Sequence, residues 1–346
     1  MTPYAKFFAM AFFFFEMLFK YGKICYNANM ENKRNKQQGT VAAFLGEPTP
    51  AKLSGLTFSV TSIAAVSWAC LFTVILIVCG VADNPDYTKS EWYLYCSFLI
   101  TPLAFALSAV LLLRWSKTPL KTELQAQKCH PKYFIVAIIL QIGLLGLSEL
   151  NVLFLEFLGR FGYVETPIEL PSMNGFGFVG VLFAVAVLPA IFEEWIFRGF
   201  LLKGMRTFGT AGAVLLSGAL FSLFHQNPAQ TIYQFCCGAA FALVAVRSGS
   251  ILPTMLAHFI NNALILALTK FGIMSFPTPV FIAIVCVSGV CLIGSLGWLL
   301  FVDKKPTPQS LGGEEGKKER KRFWLAASAG LVICGVSWLS ALLMGL

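Results

Sequence analysis

Charge is what this chain lacks most. Only 12% of its 346 residues are Asp, Glu, Lys or Arg, while 57% are hydrophobic. A soluble domain carries roughly 25% charged residues. Too few polar side chains exist here to cover a water-facing surface, so lipid must cover much of it. No CxxC pair occurs, and most of the ten cysteines, such as Cys70, Cys79, Cys236, Cys237, Cys286 and Cys334, lie inside apolar stretches. Free cysteine packs there as a small hydrophobe. Gly-x-Ser-x-Gly and HExxH are both absent, and no cysteine adjoins His225 or His258 in sequence. The net charge of +9 does not indicate a nucleic-acid partner, because the basic residues fall in short segments between apolar runs.

What is present is a series of apolar runs near the ~20 residues that span a bilayer. Nine candidates are Leu56–Val81, Trp92–Leu113, Tyr133–Leu158, Phe176–Leu202, Ala211–His225, Ala229–Val246, Ile251–Leu268, Val280–Val302 and Phe323–Leu346. The fifth is short and stops at the Asn227-Pro228 break. This pattern predicts an all-α, polytopic helical membrane protein with about 8–9 transmembrane helices. Alternate connecting segments carry 21 basic residues against three, Lys89, Arg160 and Lys270. The positive-inside rule then predicts a cytoplasmic N-terminus. Met1–Lys20, with an uninterrupted apolar run only from Phe7 to Phe15, is too short to span and reads as an interfacial helix. Asn27–Thr40 reads as a solvated linker, and the basic run near residue 315 as a solvated cytoplasmic loop able to touch anionic headgroups.

Ionisable groups inside a spanning helix are costly and tend to mark function. Glu193 and Glu194 stand in AIFEEWIFRGF, followed by Arg198; His225 ends ALFSLFH; His258 and Asn262 stand in MLAHFINNALILAL. The third histidine, His130, sits beside Pro131 in a basic loop and reads as solvent-exposed. Glu194 and Arg198 are four apart, share one helix face and can pair. Glu193 is offset by about 100° and is free to face a cavity. Two adjacent carboxylates disfavour joint ionisation unless the arginine compensates. His258 and Asn262 form one polar stripe. Buried polar residues can also serve only as glue between helices, but three such constellations on three helices within 70 residues argue for a site.

EEWIFRG, FSLFH and HFINN, in that order, resemble the EExxxR, FxxxH and HxxxN motifs of the CAAX prenyl endopeptidase and bacteriocin-processing family of membrane proteases. The resemblance covers residues from about 189 to 262, and Gly199 also fits it. It implies an intramembrane endopeptidase in which Glu193 is the general base that activates water and Glu194 and Arg198 support it. It further implies that His225 binds the water or polarises the scissile carbonyl, and that His258 and Asn262 stabilise the oxyanion. Positioned donors of that kind supply roughly 3 kcal/mol each. The expected partners are a peptide or lipidated membrane-protein substrate and the lipid bilayer.

No cofactor is expected. The alternative is zinc held by His225, His258 and one glutamate. A transporter or proton relay and a catalytically silent scaffold are the competing functions. At ~1.5 Å per residue, His258 lies about 10 Å, Glu193 about 15 Å and His225 about 20 Å into their spans. That scatter calls for a tilted or partly unwound fifth helix lining a funnel open to the cytoplasm. The expected division is an N-terminal segment and linker over 1–52, accessory helices over 53–132, a catalytic core over 133–302, and a basic loop with a last helix over 303–346. A bacterial plasma membrane is the expected location.

Overall fold

A computed structural model describes residues 49–273, 275–305 and 309–346, so the interfacial helix and linker expected before residue 49 lie outside the described residues. The described chain is helical, and no strand forms among the described residues. Helix α1 spans Pro50–Val78, α2 Glu91–Ser116, α3 Leu120–Leu124, α4 Lys132–Leu145 and α5 Ser148–Gly159. Helix α6 runs over residues 177–205, α7 over Gly209–Phe224, α8 over Thr231–Ser248, α9 over Leu252–Lys270, α10 over Thr278–Gly297 and α11 over Gly313–Gly345.

Starts and stops follow local chemistry. Thr49 caps α1, its hydroxyl accepting from the Lys52 N–H, and Pro50 occupies the first turn, where its missing N–H costs nothing. Gly209, at φ 75°, takes the chain out of α6 and into α7. A straight helix would hold Phe197 and Phe221 about 36 Å apart. Their rings meet edge to face at 5.0 Å, so α6 and α7 fold back on each other.

Among the described residues, eight helical runs are long and apolar enough to cross a membrane. The longest, Gly177–Phe224, contains both α6 and α7. With that run divided at Gly209, each of the nine expected spans appears as helix. Leu71, Val78, Val290, Ile293 and Leu325 turn outward and are exposed, as lipid-facing residues are. This is an all-helical integral membrane protein.

Two expectations need correction. The run GGEEGKKERKR is the first part of α11, not a loop. Glu314 and Glu315 favour its first turn, and ion pairs Lys317–Glu314 and Arg322–Glu319 tie successive turns. The fifth span is also not unwound, which removes that half of the tilted-or-unwound expectation: α7 is α-helical from Gly209 to Phe224. Besides a π turn at Trp298–Val302 after α10, irregular backbone lies in α6, where π-helical turns occupy Phe183–Val187 and Trp195–Leu201 on either side of the α-helical Leu188–Glu194. Such turns concentrate at functional sites.

Those π turns are held by side chains from elsewhere. Ser54 of α1 donates to the carbonyls of Leu201 at 2.7 Å and Phe200 at 3.1 Å, and accepts from the Gly204 N–H at 2.9 Å. Gln125 Nε2, just past α3, donates to the Gly199 carbonyl at 3.0 Å. Nearby, Glu123 is buried and pairs with Lys203 at 2.6 Å. Backbone groups loosened from the α-helical ladder have no water to turn to inside a bilayer, so polar side chains must serve them. Phe105, Phe197, Phe221 and Phe224 pack into an aromatic core beneath the same turns.

Candidate active site

The two glutamates diverge as the helical offset requires. Glu194 and Arg198 are completely buried, and Arg198 Nη1 donates to Glu194 Oε1 at 2.9 Å. Arg198 Nη2 donates to the Gly238 carbonyl on α8 at 3.1 Å. The guanidinium lies 4.5 Å from the Phe221 ring centroid and 5.5 Å from that of Phe241. Cation–π contacts of this kind strengthen when desolvated. They depend on close approach of α7 and α8: a Cβ at Gly238 would sit 2.9 Å from Gly218 Cα and Phe221 Cβ.

His258 of α9 joins the two carboxylates. Its Nδ1 lies 2.9 Å from Glu194 Oε1 and its Nε2 lies 3.9 Å from Glu193 Oε2. The first is a hydrogen bond; the second is beyond direct hydrogen-bonding range. An ionised Glu194 can only accept, which puts a proton on Nδ1 and leaves Nε2 facing Glu193. His225 caps the end of α7, with Nδ1 at 2.8 Å from the Phe221 carbonyl. A carbonyl also only accepts, so the His225 proton sits on Nδ1, and Nε2 of the neutral ring is an acceptor.

Glu193, His225, His258 and Asn262 all line one cavity of about 1010 Å³. Glu194 and Arg198 do not line it; they lie behind its wall. Glu193 Oε2 is buried there with no hydrogen-bond partner. Much of the remaining lining is apolar, including Phe98, Leu264, Ile265 and Phe281, with Glu149 and Asn151 among its polar members. Among the described residues, no three His, Cys, Asp or Glu side chains converge as a metal-ligand set.

Asn262 serves the backbone of α6 where Pro189 interrupts its ladder. Pro189 carries no N–H, so the Val185 carbonyl four residues earlier loses its ordinary α-helical donor. Asn262 Nδ2 donates to that carbonyl at 3.0 Å. The Asn262 side-chain oxygen accepts from Asn261 Nδ2 at 3.0 Å. Asn261 in turn accepts from Gln141 Nε2 at 2.8 Å and from the Tyr233 hydroxyl at 2.7 Å.

All six residues singled out in the sequence therefore gather in one region. Sequence reasoning missed the supporting cast: Gln141, Tyr233, Gly238, Phe241, Asn261 and Pro189. Two of these carried a signal. Gln141 interrupts the apolar IVAIILQIGLL, and Asn261 adjoins Asn262 on an otherwise apolar helix.

A glutamate and two histidines facing one cavity, with a buried Glu–Arg pair behind its wall, make up the candidate site of this polytopic membrane protein. Residues 175–264, the stretch that holds both glutamates and both histidines, match the family model described as Type II CAAX prenyl endopeptidase Rce1-like. No curated protein and no solved structure matches the chain. The match covers 90 of the 346 residues and shows that this stretch is similar to CAAX-type proteases. Such a likeness supports a protease-type enzyme and implies a protein or peptide substrate within a membrane.

Proposed function

We propose that the chain cleaves a peptide, or the tail of a lipid-anchored or membrane protein, by general-base activation of water at Glu193. The supporting observation is the contrast between the two glutamates. Glu194 is sealed behind the cavity wall with its Oε1 held by Arg198 and His258, while Glu193 lines the cavity and neither of its oxygens is engaged by Arg198. In this reading water sits between Glu193 and the Nε2 atoms of the two histidines. Glu193 takes one proton as the water oxygen bonds to the scissile carbonyl carbon. The carbonyl π electrons move to oxygen, and the oxyanion is met by the second N–H of Asn262 and by His258, which donates at Nε2 when its ring carries both protons. When the intermediate collapses, the C–N bond breaks and Glu193 returns its proton to the leaving amine. The Glu194–Arg198 pair keeps His258 oriented.

The apolar walls suit a substrate delivered from the bilayer. The lining includes Ile168, Leu170, Ala229, Gln230, Thr269 and Phe276, from the less basic ends of the helices, so with a cytoplasmic N-terminus the cavity lies towards the opposite side of the membrane. The test uses purified full-length protein with a fluorogenic peptide presented with and without a lipid anchor. Cleavage that survives chelation in metal-depleted protein supports the reading. Stoichiometric zinc, lost together with activity on chelation, would replace it with a mechanism in which His225, His258 and a glutamate hold the metal.

A further inference from the structure

A second, separate pocket of about 500 Å³ opens where three segments meet: the stretch before α4, the end of α8, and the chain leaving α10. Four lysines line it, Lys128, Lys132, Lys304 and Lys305, together with His130. One carboxylate, Asp303, opposes them. Asp303 is buried and committed: Oδ2 accepts from the Tyr133 hydroxyl at 2.9 Å, and Oδ1 lies 3.7 Å from Lys132 Nζ. Lys305 Nζ donates to the Ser248 carbonyl at 2.8 Å and keeps two further N–H groups. Arg247 Nη1 donates to the carbonyls of Asp303 and Lys305, which fixes the segment carrying the lysines. Lys128 and Lys304 are exposed and make no ion pair among the described residues.

Four ammonium groups around one neutralised carboxylate repel one another, and a bound anion relieves that repulsion. The half-buried Trp298 marks the level of the pocket relative to lipid, while Tyr133 is buried beside Asp303. Lys132 Nζ lies 5.0 Å from the Tyr133 ring and 5.1 Å from the Trp298 ring. Tyr and Trp gather at the membrane–water interface, and basic pockets between spanning helices at that level hold lipid headgroups. A phosphate diester suits the geometry, because its several acceptor oxygens can engage lysines from different segments at once.

We propose that this pocket binds the phosphate group of an anionic phospholipid. The site is distinct from the cavity that holds Glu193. Both belong to the same helices: α4 enters at Lys132, beside the pocket, and reaches Gln141 of the catalytic network about 14 Å further on.

The experiment is native mass spectrometry of the full chain in detergent, titrated with phosphatidylglycerol, phosphatidylcholine or inorganic phosphate. K128Q/K304Q removes two exposed, unpaired charges. Phosphatidylglycerol retention should fall roughly 30-fold, from about fivefold per lysine, with phosphatidylcholine unaffected. K128R/K304R should retain the parent's behaviour. Inorganic phosphate bound by the parent and lost in K128Q/K304Q would support the phosphate site and identify free anion as a competing source. Phosphatidylglycerol retained equally by K128Q/K304Q would overturn the proposal. So would an equal loss in K318Q/K321Q, which alters the basic start of α11 and leaves the pocket intact.

Discussion

Replacing Arg198 with methionine is the most informative perturbation of the buried cluster. Methionine keeps much of the apolar stem but removes the guanidinium, leaving Glu194 fully buried with His258 as its remaining polar partner. Glu194 Oε2 already lacks a hydrogen bond. Removing one partner of a buried pair costs about 3–5 kcal/mol, because an uncompensated charge stays behind. The stacking on Phe221 adds about 0.5–2 kcal/mol. E194Q/R198M removes both charges and should recover all but about 1–2 kcal/mol, since the cost lies in the stranded charge. Stability is read from titration with SDS in mixed micelles, followed by far-UV circular dichroism. R198M as stable as the parent, or E194Q/R198M no more stable than R198M, would refute the ion-pair reasoning.

Two other predictions concern the backbone. N262A removes the Asn262 donor from the Val185 carbonyl and should lower stability by about 1 kcal/mol; in a P189A background the restored N–H should rescue that loss, and an unrescued N262A/P189A chain in the same titration would contradict this account of the Val185 carbonyl. G238A should cost about 1–3 kcal/mol by overpacking, because its Cβ would press on Gly218 and Phe221; an unperturbed unfolding curve would show that α7 and α8 have room to part.

How much of this was legible in the sequence follows from the range of the interactions. Spanning helices show up as long apolar runs, so their number and approximate limits were readable before any coordinates. The Glu194–Arg198 pair was readable because it is set within one helical turn. The π turns were not. They persist because donors such as Ser54, 147 residues before the Leu201 carbonyl it serves, arrive through tertiary packing. The same holds for α1, which reads as an accessory helix in sequence yet props the turn that carries Arg198. The mistaken loop near residue 315 has another cause. Its dense charge looks solvated, but charges three residues apart pair along a helix.

Single-turnover cleavage by E193Q addresses the central claim most directly. The amide keeps the shape of the side chain but cannot take a proton from water. The account predicts a fall of about 10²–10⁴-fold in the cleavage rate, with the unfolding titration unchanged. A variant that cleaves as fast as the parent would show that some other group activates the water.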